Sequence, residues 1–225
     1  MLAYEHEGIN EAEWFQKRGV AAFILFYRLP TDGYRHPVPL MDARRAIRLV
    51  RSRAAEWKVD PAKIAIMGFS AGGHLASTLE THFDAGSDLA KDPVDRSSSR
   101  PDFAVLVYPV ITLKTPGVTH EDCKTNLLGP NPDPALVENL SNETQVTTQT
   151  PPTLLVHAED DTVVPIENSR LMLAALQKAG VPSDLQEYPH GGHGFGFGPK
   201  QTTAPAGWLD KAYVWLQAHG FKSGA

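Results

Sequence analysis

An open, mostly parallel α/β sheet is the fold class that this sequence predicts, and three features predict it. Four apolar runs are near-continuous rather than alternating, as strands covered by helices on both faces must be. Amphipathic helical stretches fall between them, the order that builds a parallel sheet. One run passes straight into a helical pattern through the glycine-flanked serine of "MGFSAGGH" (67–74). At 225 residues the chain has the length of one α/β domain with a substantial core, expected to span 1–225.

The strand candidates are "VAAFILFYRL" (20–29), "KIAIMGF" (63–69), "FAVLVYPV" (103–110), "PTLLVHA" (152–158) and "SDLQEYPH" (183–190). The fifth alternates in polarity and belongs toward a sheet edge. The helix candidates begin with "INEAEWFQKRG", stopped by Gly19. In "MDARRAIRLVRSRAAEW", Asp42 is a plausible N-cap, and Ala46, Ile47, Val50, Ala54 and Trp57 share one side. "AGGHLASTLETHF" stacks Leu75, Ala76, Leu79 and Phe83, and the last two helices stop at Gly180 and Gly220. Two stretches interrupt the alternation. Residues 84–101 are polar and turn-rich and read as an exposed loop. Residues 112–151 hold a short helical piece, "DPALVENL", and have the length of a cap-like insertion. The arginines at 44, 45, 48, 51 and 53 read as a solvated helix face.

Composition is that of an ordinary globular protein, with 42% hydrophobic and 21% charged residues. A net charge of −5 gives no basis for nucleic-acid binding. The single cysteine, Cys123, leaves no internal disulfide and no multi-cysteine metal site. No apolar run reaches the roughly 18 residues of a membrane span. The acidic start "MLAYEHEGINEAEW" has no signal-peptide core. The expectation is a soluble protein whose compartment stays open, cytoplasmic by default.

Gly68-Phe69-Ser70-Ala71-Gly72 fits G-x-S-x-G at the end of a buried strand and the start of a helix. A turn that tight strains its central residue, so the neighbours must be small. The hydroxyl is lifted above the sheet edge, over helix N–H groups that carry positive potential. A serine needs a base to take its proton, and the base needs a carboxylate to hold it. Both should follow strands, in the order Ser, acid, His. After "PTLLVHA" comes "EDDTVVP", with Asp160 and Asp161. After "SDLQEYP" comes "HGGHGFGFG", with His190 and His193. Glycines at 191, 192 and 194 let the backbone turn and aim the His193 ring, which favours it over His190. Of the adjacent aspartates, Asp161 lies one residue further into the loop, a slight preference that leaves Asp160 open. The His190/His193 pair has no evident third ligand, so neither a metal nor another cofactor is expected.

Together "GFSAGGHLAS", "HAEDDTVVPIENS", "LQKAGVPSDLQEYPHGGHGFG" and "LLGPNPDPALVENLSNE" resemble the α/β-hydrolase superfamily. The nearest branch is that of small bacterial esterases related to acetylxylan esterases. The resemblance implies a three-layer α/β-hydrolase fold and a short-chain, acetyl-type ester substrate, with a sugar as one candidate alcohol. It implies Ser70 as nucleophile, Asp161 as acid and His193 as base. Ala71 N–H would serve the oxyanion. Tyr108 and Pro109 end a strand beside the site and are expected to shape the substrate site under a roof built from 112–151, with Tyr108 equally readable as a core aromatic with a hydrogen-bonded hydroxyl. The triad alone does not choose the leaving group, so peptidase and thioesterase readings share these residues.

Members of that branch also carry a strand and a glycine-rich loop ahead of the segment matching "MLAYEHEG". Here the first 19 residues hold only Gly8 and Gly19. The expectation is therefore an N-terminally truncated version of the fold, with a gap between "VAAFILFYRL" and "KIAIMGF". That gap would favour a homodimer. The second oxyanion donor would come from residues near 1–4 or from another side chain. Failing that, the chain would be a weakly active or inactive binding protein of the same fold.

Overall fold

The structure is a computed structural model and describes residues 4–222. Its centre is a four-stranded parallel sheet, β1 (Ala65–Phe69), β2 (Phe103–Val107), β3 (Thr153–Ala158) and β4 (Ser183–Tyr188), in the order β1-β2-β3-β4. Helices α1 (Asn10–Gln16), α2 (Val38–Ser52) and α3 (Ala54–Trp57) precede β1. Helix α4 (Ser70–Thr81) follows it, α5 (Glu121–Leu128) and α6 (Pro134–Asn139) lie between β2 and β3, and α7 (Glu167–Lys178) and α8 (Trp208–Ala218) flank β4 in sequence.

Every residue of β2 and β3 is buried, which is why β2 is wholly apolar and β3 departs from that only at Thr153 and His157, each with hydrogen-bond partners. Successive side chains face opposite layers. Val105, Val107, Leu154 and Val156 pack with Trp14 of α1 and with Trp208, Leu209, Ala212 and Leu216 of α8. Leu106 and Leu155 pack with Ala76 of α4 and with Met172 and Leu176 of α7. Two helical layers therefore enclose the sheet. β4 ends the sheet, as its alternating sequence predicts, and none of its residues is fully buried, with Asp184 and Glu187 exposed.

The run at 20–29 departs from expectation. It forms no strand, and among the described residues β1 has a strand on one side only. A strand exists through ladder hydrogen bonds to a neighbour, and neither 20–29 nor the outer edge of β1 supplies them to the other. The run instead crosses the surface with Phe23, Ile24, Leu25 and Phe26 at 51%, 39%, 41% and 68% exposure. The Phe23 ring lies 4.9 Å from that of Trp57.

Helix α2 also differs. It starts at Val38 rather than after Asp42, with proline tolerated in its first turn. Asp42 lies inside the helix and binds the Arg28 backbone N–H and guanidinium. The α2 arginines are not a solvated face. Arg45 pairs with Asp92 and Asp95, Arg48 with Asp84, and Arg51 with Asp102, while Arg44 donates to the His82 carbonyl. They fasten the 84–102 segment to α2. In 112–151 the structure adds α5 to the predicted helical piece, which is α6. No described helix is long and apolar enough to cross a membrane.

One buried carboxyl sits in the core. Glu80 is fully buried, and Thr153 Oγ1 lies 2.9 Å from Glu80 Oε2 and 2.9 Å from the Pro151 carbonyl. One hydroxyl proton cannot serve both acceptors. A protonated Glu80 resolves this by donating to Thr153, which then donates to Pro151. Burial pushes the Glu80 carboxyl up to about 8, against a lowering by Thr153.

Two outcomes follow for urea unfolding. Leu155→Ala, at a fully buried sheet position, should cost about 2–5 kcal/mol. Phe26→Ser should stay within about 0.5 kcal/mol, as at an exposed site. The folded chain keeps the Glu80 proton between pH 4.5 and about 8, where the unfolded chain releases it, so stability falls as pH rises through that window. Glu80→Gln should remove about 1.4 kcal/mol per pH unit of that slope.

Candidate active site

Ser70 stands where β1 becomes α4, and its φ of 51° places a non-glycine residue in the left-handed region. Such a conformation costs about 1–3 kcal/mol and persists only where neighbours enforce it. The enforcement is steric. A Cβ on Gly68 would come within 2.4 Å of the Gly72 carbonyl oxygen, and one on Gly73 within 2.7 Å of Pro109 Cβ. Glycine at these positions lets β1, α4 and the residues after β2 meet closely enough to fix the turn. Ala71, the next residue, is exposed in the first turn of α4. Its N–H is among those that a helix leaves without an internal partner.

The loops after β3 and β4 bring the other groups to the same edge. Ser70 Oγ lies 2.8 Å from His193 Nε2, and His193 Nδ1 lies 2.7 Å from Asp161 Oδ2. Asp161 Oδ1 accepts from the Val163 and Val164 N–H groups, each at 2.9 Å. An Nδ1–H that donates to the carboxylate leaves Nε2 free to accept the serine proton. Burial raises the Asp161 carboxyl. Hydrogen bonds from His157 and His193, and from the Val164 N–H, outweigh it and hold the group far below the ordinary carboxylate range.

The two pairs left open by sequence thus part company in space. Asp160 and His190 form a surface pair at 3.3 Å, and Asp160 also accepts from Gly192 N at 2.7 Å. That contact pins the glycine turn leading to His193. Tyr108 and Pro109 do lie beside the site, but both are buried and offer a substrate no surface. Tyr108 is a core aromatic with a hydrogen-bonded hydroxyl instead. Its backbone follows Ser70 in having a positive φ, 36°. Residues 1–3, among those expected to supply a second oxyanion donor, lie outside the described residues. Cys123 lines the same cavity as Ala71, closer than its place in the chain suggests. Burial pushes its thiol up to about 12, so it stays neutral.

Sequence reasoning missed one group that touches the relay. His157 is fully buried, with Nε2 3.0 Å from the Val164 carbonyl and 3.3 Å from Asp161 Oδ2. A carbonyl only accepts, so Nε2 carries the proton and Nδ1 accepts from Ser169 Oγ at 2.8 Å. Asp161 therefore sits between two imidazole N–H groups. The histidine at the end of "LLVH", four residues before Asp161, was the available signal. A cavity of ≈ 190 Å³ opens beside Ala71, lined by Tyr27, His74, Leu75, Cys123, Leu127 and Leu140 among others. Burial lowers His74 to about 4, and its Nε2–H donates to the Leu140 carbonyl, so it faces the cavity neutral. Among the described residues no group of three or more His, Cys, Asp or Glu side chains is placed to hold a metal ion.

A family model described as BD-FAE matches residues 3–176. The chain belongs to the BD-FAE family. This BD-FAE chain is 41% identical over 195 residues to an endo-1,4-beta-xylanase B of Butyrivibrio fibrisolvens, covering 86% of this chain and 30% of that protein. It is 37% identical to an acetylxylan esterase of Xylanibacter ruminicola, covering 88% and 39% respectively. The chain thus spans well under half the length of these curated relatives. Among solved structures, an acetyl ester-xyloside bifunctional hydrolase from Caldicellulosiruptor lactoaceticus superposes with a TM-score of 0.92 at 46% identity. That match covers 98% of this chain and 81% of the other. A thermophilic esterase from Thermogutta terrifontis gives a TM-score of 0.76 at 32% identity, over 96% and 78%. The fold is that of the α/β-hydrolase esterases, consistent with a shortened sheet.

If the relay is chemically competent, the two neighbouring aspartates should separate sharply. Asp161→Asn should slow labelling of Ser70 by a fluorophosphonate by about 1,000- to 10,000-fold, because an amide no longer holds the required tautomer. Asp160→Asn should change it by no more than about 3-fold, since its contacts are exposed.

Proposed function

We propose that this protein is a serine carboxylic-ester hydrolase acting on short-chain acyl esters, with acetyl esters of sugars as the favoured substrate class. The observation that carries the reading is the continuous Ser70–His193–Asp161 hydrogen-bond chain, at 2.8 and 2.7 Å, on a strained strand-to-helix turn. Ser70 Oγ attacks the ester carbonyl while His193 Nε2 takes its proton, and the carbonyl π pair moves onto oxygen. Ala71 N–H receives that developing charge. Collapse breaks the bond to the alcohol oxygen, which leaves with the proton from His193. A water, deprotonated by the same nitrogen, then attacks the acyl carbon; the bond to Ser70 Oγ breaks, the proton on His193 returns to that oxygen, and the acid leaves. Asp161 holds the imidazole and stabilises its charged form throughout.

The substrate class rests on two supports. The cavity beside Ala71 is largely apolar, with Leu75, Leu127 and Leu140 in its wall, and suits the acyl methyl end rather than a charged group. The relatives named acetylxylan esterase and acetyl ester-xyloside hydrolase supply the sugar alcohol. Residues 112–151 contribute Cys123, Leu127 and Leu140 to the cavity wall, and on this reading they roof the acyl end.

A p-nitrophenyl ester series from acetate to octanoate tests this. Turnover should be highest for the short esters, and Ser70→Ala should lower it by about a millionfold, to the level of background. Hydrolysis that survives Ser70→Ala would refute the mechanism. A folded protein that neither turns over nor takes a fluorophosphonate would point to the binding-protein alternative.

A further inference from the structure

The N-terminal turn reaches the loop that carries His193 through a set of specific contacts that no strand or helix requires. Phe197 N donates to the His6 carbonyl at 2.8 Å, and Asn10 Nδ2 donates to the Phe197 carbonyl at 2.9 Å. Gly196 is drawn so close that a Cβ there would stand 2.2 Å from the His6 oxygen. From the other side, Trp208 Nε1 donates to the Gly196 carbonyl at 3.0 Å. Three residues after His193, the loop is thus gripped by both flanking segments.

One side chain of that turn goes further. The backbone leaves helical geometry at Glu7, with φ −125° and ψ 23°. Tyr108 O–H donates to Glu7 Oε1 at 2.9 Å, and the same hydroxyl accepts from Gly196 N at 3.1 Å. The Tyr108 ring stands edge-on to the His193 imidazole, with centroids 5.0 Å apart, and to Phe195 at 4.6 Å. Tyr108 is fully buried and has the positive φ noted above. A bulky residue in that region is held by what surrounds it, and among the described residues its polar tip has two partners, Glu7 and Gly196.

We propose that Glu7 is a positioning residue for His193, acting through Tyr108. The carboxylate fixes the direction of the Tyr108 hydroxyl, which then presents a lone pair to Gly196 N. The ring, locked at both ends, becomes one wall of the imidazole slot. Loss of the acceptor would free the hydroxyl to rotate, release the Gly196 N–H and loosen the loop by the fraction of an ångström that proton transfer from Ser70 notices. This rests on the esterase reading for its kinetic consequences and on geometry alone for its structural ones.

The test compares wild type with Glu7→Ala, Glu7→Gln and Tyr108→Phe, by p-nitrophenyl acetate kinetics and by the downfield proton resonance of the His193 Nδ1–H. Glu7→Ala and Tyr108→Phe should lower kcat by about 10- to 100-fold while KM moves less than about 3-fold. Glu7→Gln keeps an acceptor oxygen and should retain kcat within about 3-fold of wild type. The resonance should broaden or vanish in the first two variants and persist in Glu7→Gln. Wild-type behaviour of Tyr108→Phe and Glu7→Ala would overturn the proposal, as would Glu7→Gln failing to rescue. If Glu7→Ala does not fold, the contrast between Tyr108→Phe and Glu7→Gln decides alone. Should wild type prove to lack Ser70-dependent hydrolysis, the esterase reading fails while the resonance still tests the positioning.

Discussion

A hydroxyl group can stand clear of a sheet edge at Ser70 only because the backbone there accepts a φ of 51°, and much of the molecule is arranged around that dihedral. Gly68 and Gly73 exclude side chains where β1, α4 and Pro109 converge. Val110 N donates to the Ser70 carbonyl at 3.1 Å, tying the end of β2 into the same knot. The strain stored there is small beside the burial of β2 and β3, so the sheet can hold a conformation that a free peptide would abandon.

Charge is placed with similar economy. Asp160 and Asp161 are chemically identical neighbours, yet one braces a surface turn and the other is enclosed by two imidazole N–H groups and two backbone N–H groups. Their environments, not their identities, separate them. The same holds for the histidines: His74 and His157 are buried, each with Nε2–H fixed by a carbonyl, while His193 keeps one nitrogen toward the serine. Glu80 and Glu11 show the converse case, carboxyls that burial pushes up to about 8.

Where local pattern decides the outcome, the sequence is transparent. β2 is apolar at every position, and β3 at all but Thr153 and His157, because both faces are covered; Ser70, His193 and Asp161 meet because each follows a strand of one parallel sheet. The choice of Asp161 over Asp160 was barely legible from position, and only the resemblance sharpened it. Elsewhere the decisive information is non-local. An apolar run at 20–29 has strand composition, but pairing belongs to two segments and cannot be read from one. The α2 arginines look solvated until the folded chain returns Asp84, Asp92, Asp95 and Asp102 beside them. Glu7 stands 101 positions before Tyr108, and no spacing rule joins them.

The uncovered segment on the surface has a physical cost that catalysis never encounters. From Val20 to Tyr27 it contains no charge, proline or glycine, the composition that stacks readily into intermolecular cross-β ribbons. Aromatic rings held in water there gain by meeting one another on separate molecules, and a net charge of only −5 offers weak colloidal repulsion against it. The shelf life of a concentrated solution is thus expected to depend on the exposed rings of a segment whose last residue, Tyr27, lines the cavity beside Ala71. A coating that shields those rings would lengthen it without touching the serine.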